Sequence, residues 1–537
     1  MKYDYQLLNT YAKAVPGKEH TRVHDIDELN SKEYVSYYLG EGDPSTGIAI
    51  SSTIEDGKLK IIKRNKLCHV LAIANSGAGK TQGFASLQII SASGNETLIV
   101  LDPKSELSRA TYAIAMKIYG EKNVSILNLM NPDASTVFVN PFEVWANEWI
   151  ESKRLDKKEE KRKDITSALR KYIETIFPIP KTEKDSSWYV VARNFIFALV
   201  LGCFEDLDLP STPTKKQRRR KLYPQQINWF TLVSIFESFA WGESYRGFND
   251  RGFFTSRDKK KSQAYKYAKT ILDNAGSTRA NYAGFIELYL RRVSDTKIQK
   301  ISMFNNLTAL DLVESPQILY IVYDLSDKTV REYLNIIISS LCNDLLQLSH
   351  TTNGGKLKTP VMILMDEFPA LRANEIYPNI LATGRGSGLF LTLICQSLSQ
   401  LKARYPEEFK TILQNSDATF FLGTNDVETA NEFSAQLGKT SIADPVQFLR
   451  NEFNCIEIPC VSTDILMHHM REGEAFIKVN RAEPIHGHFE FFYNINERFL
   501  KSPITDINMF HIEVPINHDN DMSWLYNDEA DDGDDDF

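Results

Sequence analysis

The chain has 537 residues, 42% hydrophobic and 11% aromatic, enough to bury a sizeable core and unlike a disordered or fibrous polymer. Its net charge of −8 hides an asymmetry: residues 151–300 hold 31 Lys/Arg against 18 Asp/Glu, a local net of +13, which leaves −21 for the rest. The six cysteines form no CxxC pair, which argues against a zinc ribbon or a disulfide framework and suits buried thiols in a reducing compartment.

The first twenty residues are polar from the start, so no signal peptide is expected. Short strands are predicted around Gly47–Ile54 and Lys58–Ile62. The run Cys68–Ala74 (CHVLAIA) follows as a buried strand, and it ends in Asn75-Ser76-Gly77-Ala78-Gly79-Lys80-Thr81-Gln82. That is the phosphate-binding loop pattern, with Ala74 where a glycine usually opens it. Asn75, Ser76, Gly77, Ala78, Gly79 and Gln82 would wrap backbone N–H groups around a phosphate, and Lys80 would reach the β/γ-phosphates. Thr81 would offer its hydroxyl to Mg²⁺, with the following helix aiming its dipole at the anion.

Further strands are predicted at Glu96–Asp102, Val124–Leu127 and Ser135–Phe142. From Trp145 to Lys300 the pattern turns helical and basic, with amphipathic runs at Asp164–Phe177 and Trp188–Cys203 and a KKQRRRK run at 215–221. Phe195–Cys203 is the longest apolar run; between Arg193 and Glu205 it is too short to cross a membrane. Strands return at Gln317–Asp324, Val361–Asp366, Leu391–Gln396, Ala418–Gly423 and Ala475–Val479, separated by helices such as Arg331–Leu348. Alternation of this kind predicts a doubly wound, mostly parallel α/β sheet. His486 and His488 alternate on one strand face without further ligands nearby and are read as non-metal.

The strand Val361–Asp366 ends in two carboxylates. Asp366 would hold Mg²⁺ beside Thr81, and Glu367 would orient the attacking water of an ATPase. Paired acids after a strand could merely cap a helix, a reading weakened by the phosphate loop in the same chain.

The loop ANSGAGKT is followed by LDPKSEL (101–107), NPF (140–142), MDEFPAL (365–371), GRGSGLFLTLICQSLSQL (384–401) and FLGTNDVETANEFSAQLGKTS (421–441). In this order the segments resemble the TraG-like coupling proteins of type IV secretion, and they cover most of residues 65–440. The resemblance implies a RecA-like P-loop NTPase domain with an inserted all-α domain. Residues 1–145 and 301–518 would make the nucleotide-binding part and 146–300 the insertion. It implies a DNA-stimulated ATPase using ATP and Mg²⁺, a hexamer when active with a monomer in isolation left open, that delivers single-stranded DNA or a relaxase–DNA complex to the other components of a secretion channel. It also implies that Gln396, 29 residues beyond Glu367, senses the γ-phosphate. Arg385, 18 residues beyond Glu367, would reach a neighbouring subunit's ATP. Asp102 would shape the pocket or a motor element.

Members of that family usually carry N-terminal membrane helices. None is expected here, so the protein would be cytoplasmic, either reaching the inner face of the membrane through a partner or naturally soluble. The basic insertion would contact DNA phosphates, with most of its aromatics, Trp188, Trp229 and Tyr282 among them, packed in the core. The tail 519–537, with nine acids and no Lys or Arg, is expected to be disordered. The alternatives are an FtsK/HerA-like pump of duplex DNA and a substrate receptor that is not a motor.

Overall fold

A computed structural model describes residues 23–26, 29, 33–41, 45–75, 77–179, 186–212, 219–240, 249–274, 276–352, 354–443 and 455–510. Ser76, positions 215–218 of the basic run and the acidic tail lie outside the described residues.

Two compact units share the chain. The first comprises the chain up to Ile126, Ala309–Leu325 and Leu341–Met509; the second comprises Leu127–Thr308 and Ser326–Ser340. The strands are β1 (His24–Asp25), β2 (Tyr34–Tyr38), β3 (Ile48–Glu55), β4 (Lys58–Arg64), β5 (Val70–Ile73), β6 (Thr97–Asp102), β7 (Val124–Asn128), β8 (Ile318–Val322), β9 (Val361–Met365), β10 (Leu389–Cys395), β11 (Ala418–Phe421), β12 (Lys439–Ala443), β13 (Cys455–Pro459), β14 (Glu474–Val479) and β15 (Ile485–His488). Ten of them form one sheet in the order β1-β15-β14-β11-β5-β10-β9-β6-β8-β7. Strands β2, β4 and β3 make a separate antiparallel sheet, and β12 pairs with β13.

The block β11-β5-β10-β9-β6-β8 is parallel throughout. Its strands VLAI, LFLTLIC, VMILM, TLIVLD and ILYIV are buried at every residue, as strands covered by helices on both faces must be. Residues Ile73, Cys395 and Phe421 are in register, and Met365 pairs with Leu101 and Leu393. The chain therefore leaves β5, β10, β9 and β6 along one edge of the sheet, where an open α/β sheet places its ligands.

The segment 135–142 reads as a strand in sequence but is irregular. Its polar groups are taken elsewhere: Phe138 N–H donates to Asn306 Oδ1 at 2.6 Å, Val139 N–H to the Ile301 carbonyl at 3.0 Å, and Phe142 N–H to Asn140 Oδ1 at 3.0 Å. Pro141 has no N–H to give to a ladder.

In the second unit the helix Ser186–Asp206 is apolar on all sides; Phe195, Ile196, Ala198, Leu199 and Val200 have no exposed surface. Contrary to the sequence reading, its stretch Ser187–Asp206 is long and apolar enough to cross a membrane, yet most of it is buried inside the protein, as for a core helix. The helix ends in a buried charge cluster. Arg257 grips Asp206 with two bonds of 3.0 and 2.9 Å, and Arg219 pairs with the same carboxylate. Glu205 takes a third bond from Arg257 at 3.1 Å and accepts the Gln263 and Ala264 N–H groups that open the helix Gln263–Leu272. Part of the basic character of this unit is thus internal. Trp229 and Tyr189 are buried, while Trp188 and Tyr282 are half-buried, their rings 4.5 Å apart.

Candidate active site

The phosphate loop hangs between two strand ends. Ala74 N–H donates to the Cys395 carbonyl at 3.0 Å, which ties the loop to β10; Asn75 N–H donates to the Gly423 carbonyl at 3.0 Å, which ties it to the turn after β11. Gly77 and Gly79 both take left-handed φ angles, 85° and 84°, a region that disfavours a Cβ. Gly77 opens onto free space, whereas a Cβ on Gly79 would fall 2.2 Å from Cε1 of Phe491. The helix that begins at Lys80 starts with a wide turn, in which both Gly83 and Phe84 N–H donate to the Gly79 carbonyl. Ser86 Oγ bonds the Thr81 carbonyl at 2.7 Å and steadies that turn. Gln82 is half-buried one position further on.

Around the loop the fold gathers residues 285–316 positions away from it in the chain. Thr81 Oγ1 donates to Asp366 Oδ2 at 3.1 Å. The Lys80 ammonium forms an ion pair with Glu367, both side chains nearly buried. Gln396 Nε2 donates to both Glu367 oxygens, at 3.0 and 3.1 Å. Strand β10, which carries Gln396, lies between the loop strand β5 and the acid strand β9, so its end faces both.

Asp366 follows β9, and its own Oδ1 accepts the Glu367 N–H at 3.0 Å. Glu367 sits in the left-handed region at φ 56°, an uncommon conformation for a side-chain-bearing residue that turns its carboxylate toward Lys80. Burial raises the Asp366 pKa to about 6; the nearby Lys80 charge works against that rise and Glu367 adds to it. These groups fit a hydrated divalent cation and a polyphosphate: a hydroxyl and a carboxylate converge as hard oxygen donors, and an ammonium stands beside a loop shaped by two left-handed glycines.

Asp102 ends the neighbouring strand β6, and its charge adds to the rise in the Asp366 pKa. Its carboxylate accepts Ser108 N–H and Oγ, both at 2.7 Å, and Glu106 N–H at 3.1 Å, and so caps the helix Glu106–Tyr119. Arg385 is not among the gathered residues. The helix Ile376–Ser387 delivers it to the opposite edge of the sheet, where its half-exposed guanidinium pairs with Asp417, just before β11. Asp417 Oδ2 also accepts the His69 N–H at 3.1 Å. The four-residue strand Val70–Ile73, five steps and roughly 17 Å from end to end, separates His69 from Ala74. His69 itself is buried; its Nδ1 accepts the Leu391 N–H at 3.1 Å and its Nε2 has no hydrogen-bond partner among the described residues. Burial lowers its pKa to about 4.

Sequence reasoning passed over Asp417 and Phe491. An acid just before a strand and one aromatic in the run FEFFYN carry no motif, and only the fold brings them to Arg385 and Gly79.

The family described as Type IV secretory system Conjugative DNA transfer matches residues 16–447, most of the chain. The chain belongs to that family. Conjugal transfer protein TraG of Rhizobium radiobacter is 24% identical over 379 residues, covering 70% of this chain and 53% of the relative. TraG of Escherichia coli is 29% identical over 178 residues, 32% of this chain and 27% of the relative. The chain thus spans about a quarter to a half of the length of these curated relatives.

Among solved structures, the bacterial conjugative coupling protein TrwBdeltaN70 in its trigonal form with sulphate superposes with a TM-score of 0.55 at 16% identity, covering 89% of this chain and 94% of that one. The plasmid coupling protein TrwB in complex with ADP and Mg²⁺ gives 0.55 at 15% identity, covering 89% and 96%. At these identities the likeness establishes the fold, that of a RecA-like P-loop protein with a mostly parallel sheet.

Proposed function

We propose that this protein is an ATP-hydrolysing coupling protein of conjugative transfer, which uses ATP and Mg²⁺ to move single-stranded DNA or a relaxase–DNA complex toward a type IV secretion channel. The observation that carries the reading is the convergence of Lys80, Thr81, Asp366, Glu367 and Gln396 on one sheet edge. Lys80 and the backbone of Asn75–Gln82 hold the phosphates. Thr81 and Asp366 hold Mg²⁺, which when bound neutralises charge on the β- and γ-phosphates. Glu367 orients and polarises the attacking water, and Gln396 reads whether a γ-phosphate is present. Lys80 now engages Glu367; moving Lys80 to a triphosphate frees the carboxylate to act on water. The position of Arg385, on the edge away from its own loop, supports a role in trans, in a ring of six subunits at the cytoplasmic face of the membrane.

The test is steady-state ATP hydrolysis by the wild type and Glu367→Gln, with and without single-stranded DNA, over a protein-concentration series. Turnover that rises with DNA and concentration and is abolished by the substitution supports the proposal. Negligible turnover in every condition favours a receptor that is not a motor, and preference for duplex DNA favours a duplex pump.

A further inference from the structure

The gathered residues fix the direction in which a nucleotide must lie. Glu367 and Gln396, at the ends of β9 and β10, mark the γ-phosphate end on one side of the loop strand β5. The phosphates cross the loop at Lys80 and Thr81, so the nucleoside leaves on the other side of β5, toward β11, β14 and β15. Chain emerging from β15 crosses there. Phe489 packs its ring on Phe84 and Phe420, 5.6 and 6.0 Å between centroids, and so anchors the crossing to the loop helix and β11. Phe491 then lies against Gly79 and Gly83, nearly buried at 8% exposure. Tyr493 stacks on Phe491, rings 5.6 Å apart at 17°, and is itself 55% exposed.

An aromatic ring backed by a second ring, half in solvent, beside a phosphate loop and on its nucleoside side has the properties of a base-stacking surface. We propose that the base of the bound nucleotide stacks on Tyr493, with Phe491 setting the position of that ring relative to Gly79. This rests on the reading of the loop as a nucleotide site and adds how the base is held. Stacking needs only a π-face and tolerates any base, so ATP and GTP bind with similar strength and pyrimidine triphosphates bind more weakly.

Calorimetric titration of the full chain with Mg²⁺ and either ADP or inorganic pyrophosphate separates the nucleoside from the phosphates. Tyr493→Ala is expected to weaken ADP about tenfold while leaving pyrophosphate unchanged, and Tyr493→Phe to bind both as the wild type does. Unchanged ADP affinity in Tyr493→Ala overturns the platform, as does an equal loss for both ligands, which indicates a structural role. If the wild type binds neither ligand, the nucleotide reading itself falls and takes the platform with it. Wild-type binding of both ligands keeps those two failures distinguishable.

Discussion

Lys80 and Glu367 neutralise each other inside the site, and this pairing sets the cost of the first step. A triphosphate must draw the ammonium off a nearly buried carboxylate that then keeps the two bonds from Gln396. Glu367→Gln removes the competing charge as well as the group proposed to orient water. It is expected to bind ATP at least as tightly as the wild type while losing hydrolysis by roughly 10²–10⁴-fold, a separation that equilibrium binding and turnover measured together will reveal.

A second residue-scale consequence concerns His69, whose pKa is depressed to about 4 by burial. Between about pH 4 and 6.5 the unfolded chain binds a proton at this position that the folded chain refuses, so the stability tied to His69 is complete above pH 6.5 and falls as pH drops through that window. The full span corresponds to about 3 kcal/mol. Urea titrations between pH 4.5 and 7 are expected to show a flatter pH profile for His69→Asn than for the wild type, because Asn keeps an acceptor for the Leu391 N–H and loses the titrating group.

At the scale of elements, what could be read in the sequence follows from burial. Strands β5, β6, β8, β9 and β10 are continuous apolar runs because both faces are covered, and such runs stand out without any alignment. The loop and acids were equally legible, since each is a local pattern at a strand end. The stretch 135–142 deceived because TVFVNPF alternates like a strand, while Asn140, Pro141 and the distant Asn306 route its hydrogen bonds elsewhere. The helix Ser186–Asp206 reads as helical in sequence, but its full apolar length does not, for the opposite reason. Arg193 and Glu205 looked like boundary charges, yet Glu205 turns into the charge cluster at Arg257 and Arg193 lies 3.6 Å from Glu174. That cluster makes its own prediction. Asp206→Asn leaves the fully buried Arg257 without its closest counter-charge and should destabilise the helical unit by about 3 kcal/mol, read by chemical denaturation.

At the scale of the whole molecule, Arg385 is the residue whose meaning depends on assembly. If it completes a neighbour's site, Lys80→Ala and Arg385→Ala are each inactive alone. Mixed in equal amounts, they place an intact loop against an intact arginine at about a quarter of the interfaces. Partial recovery of ATP turnover on mixing is the expected result, and its absence would place Arg385 in a purely structural pair with Asp417. Long-range contacts of this sort were closed to sequence reading: Asp417 lies 32 residues beyond Arg385 and 348 beyond His69, and nothing local announces either meeting.

Strand β10 has Gln396 directly after its last residue, and the Gly388 turn joins its first residue to the helix that bears Arg385. Seven residues of fully buried, hydrogen-bonded backbone between them, about 23 Å, neither stretch nor bend appreciably. The strand is in effect a push-rod through the middle of the sheet. Were subunits to assemble around Arg385, a shift of Gln396 would be carried along this strand to the turn that holds the arginine's helix.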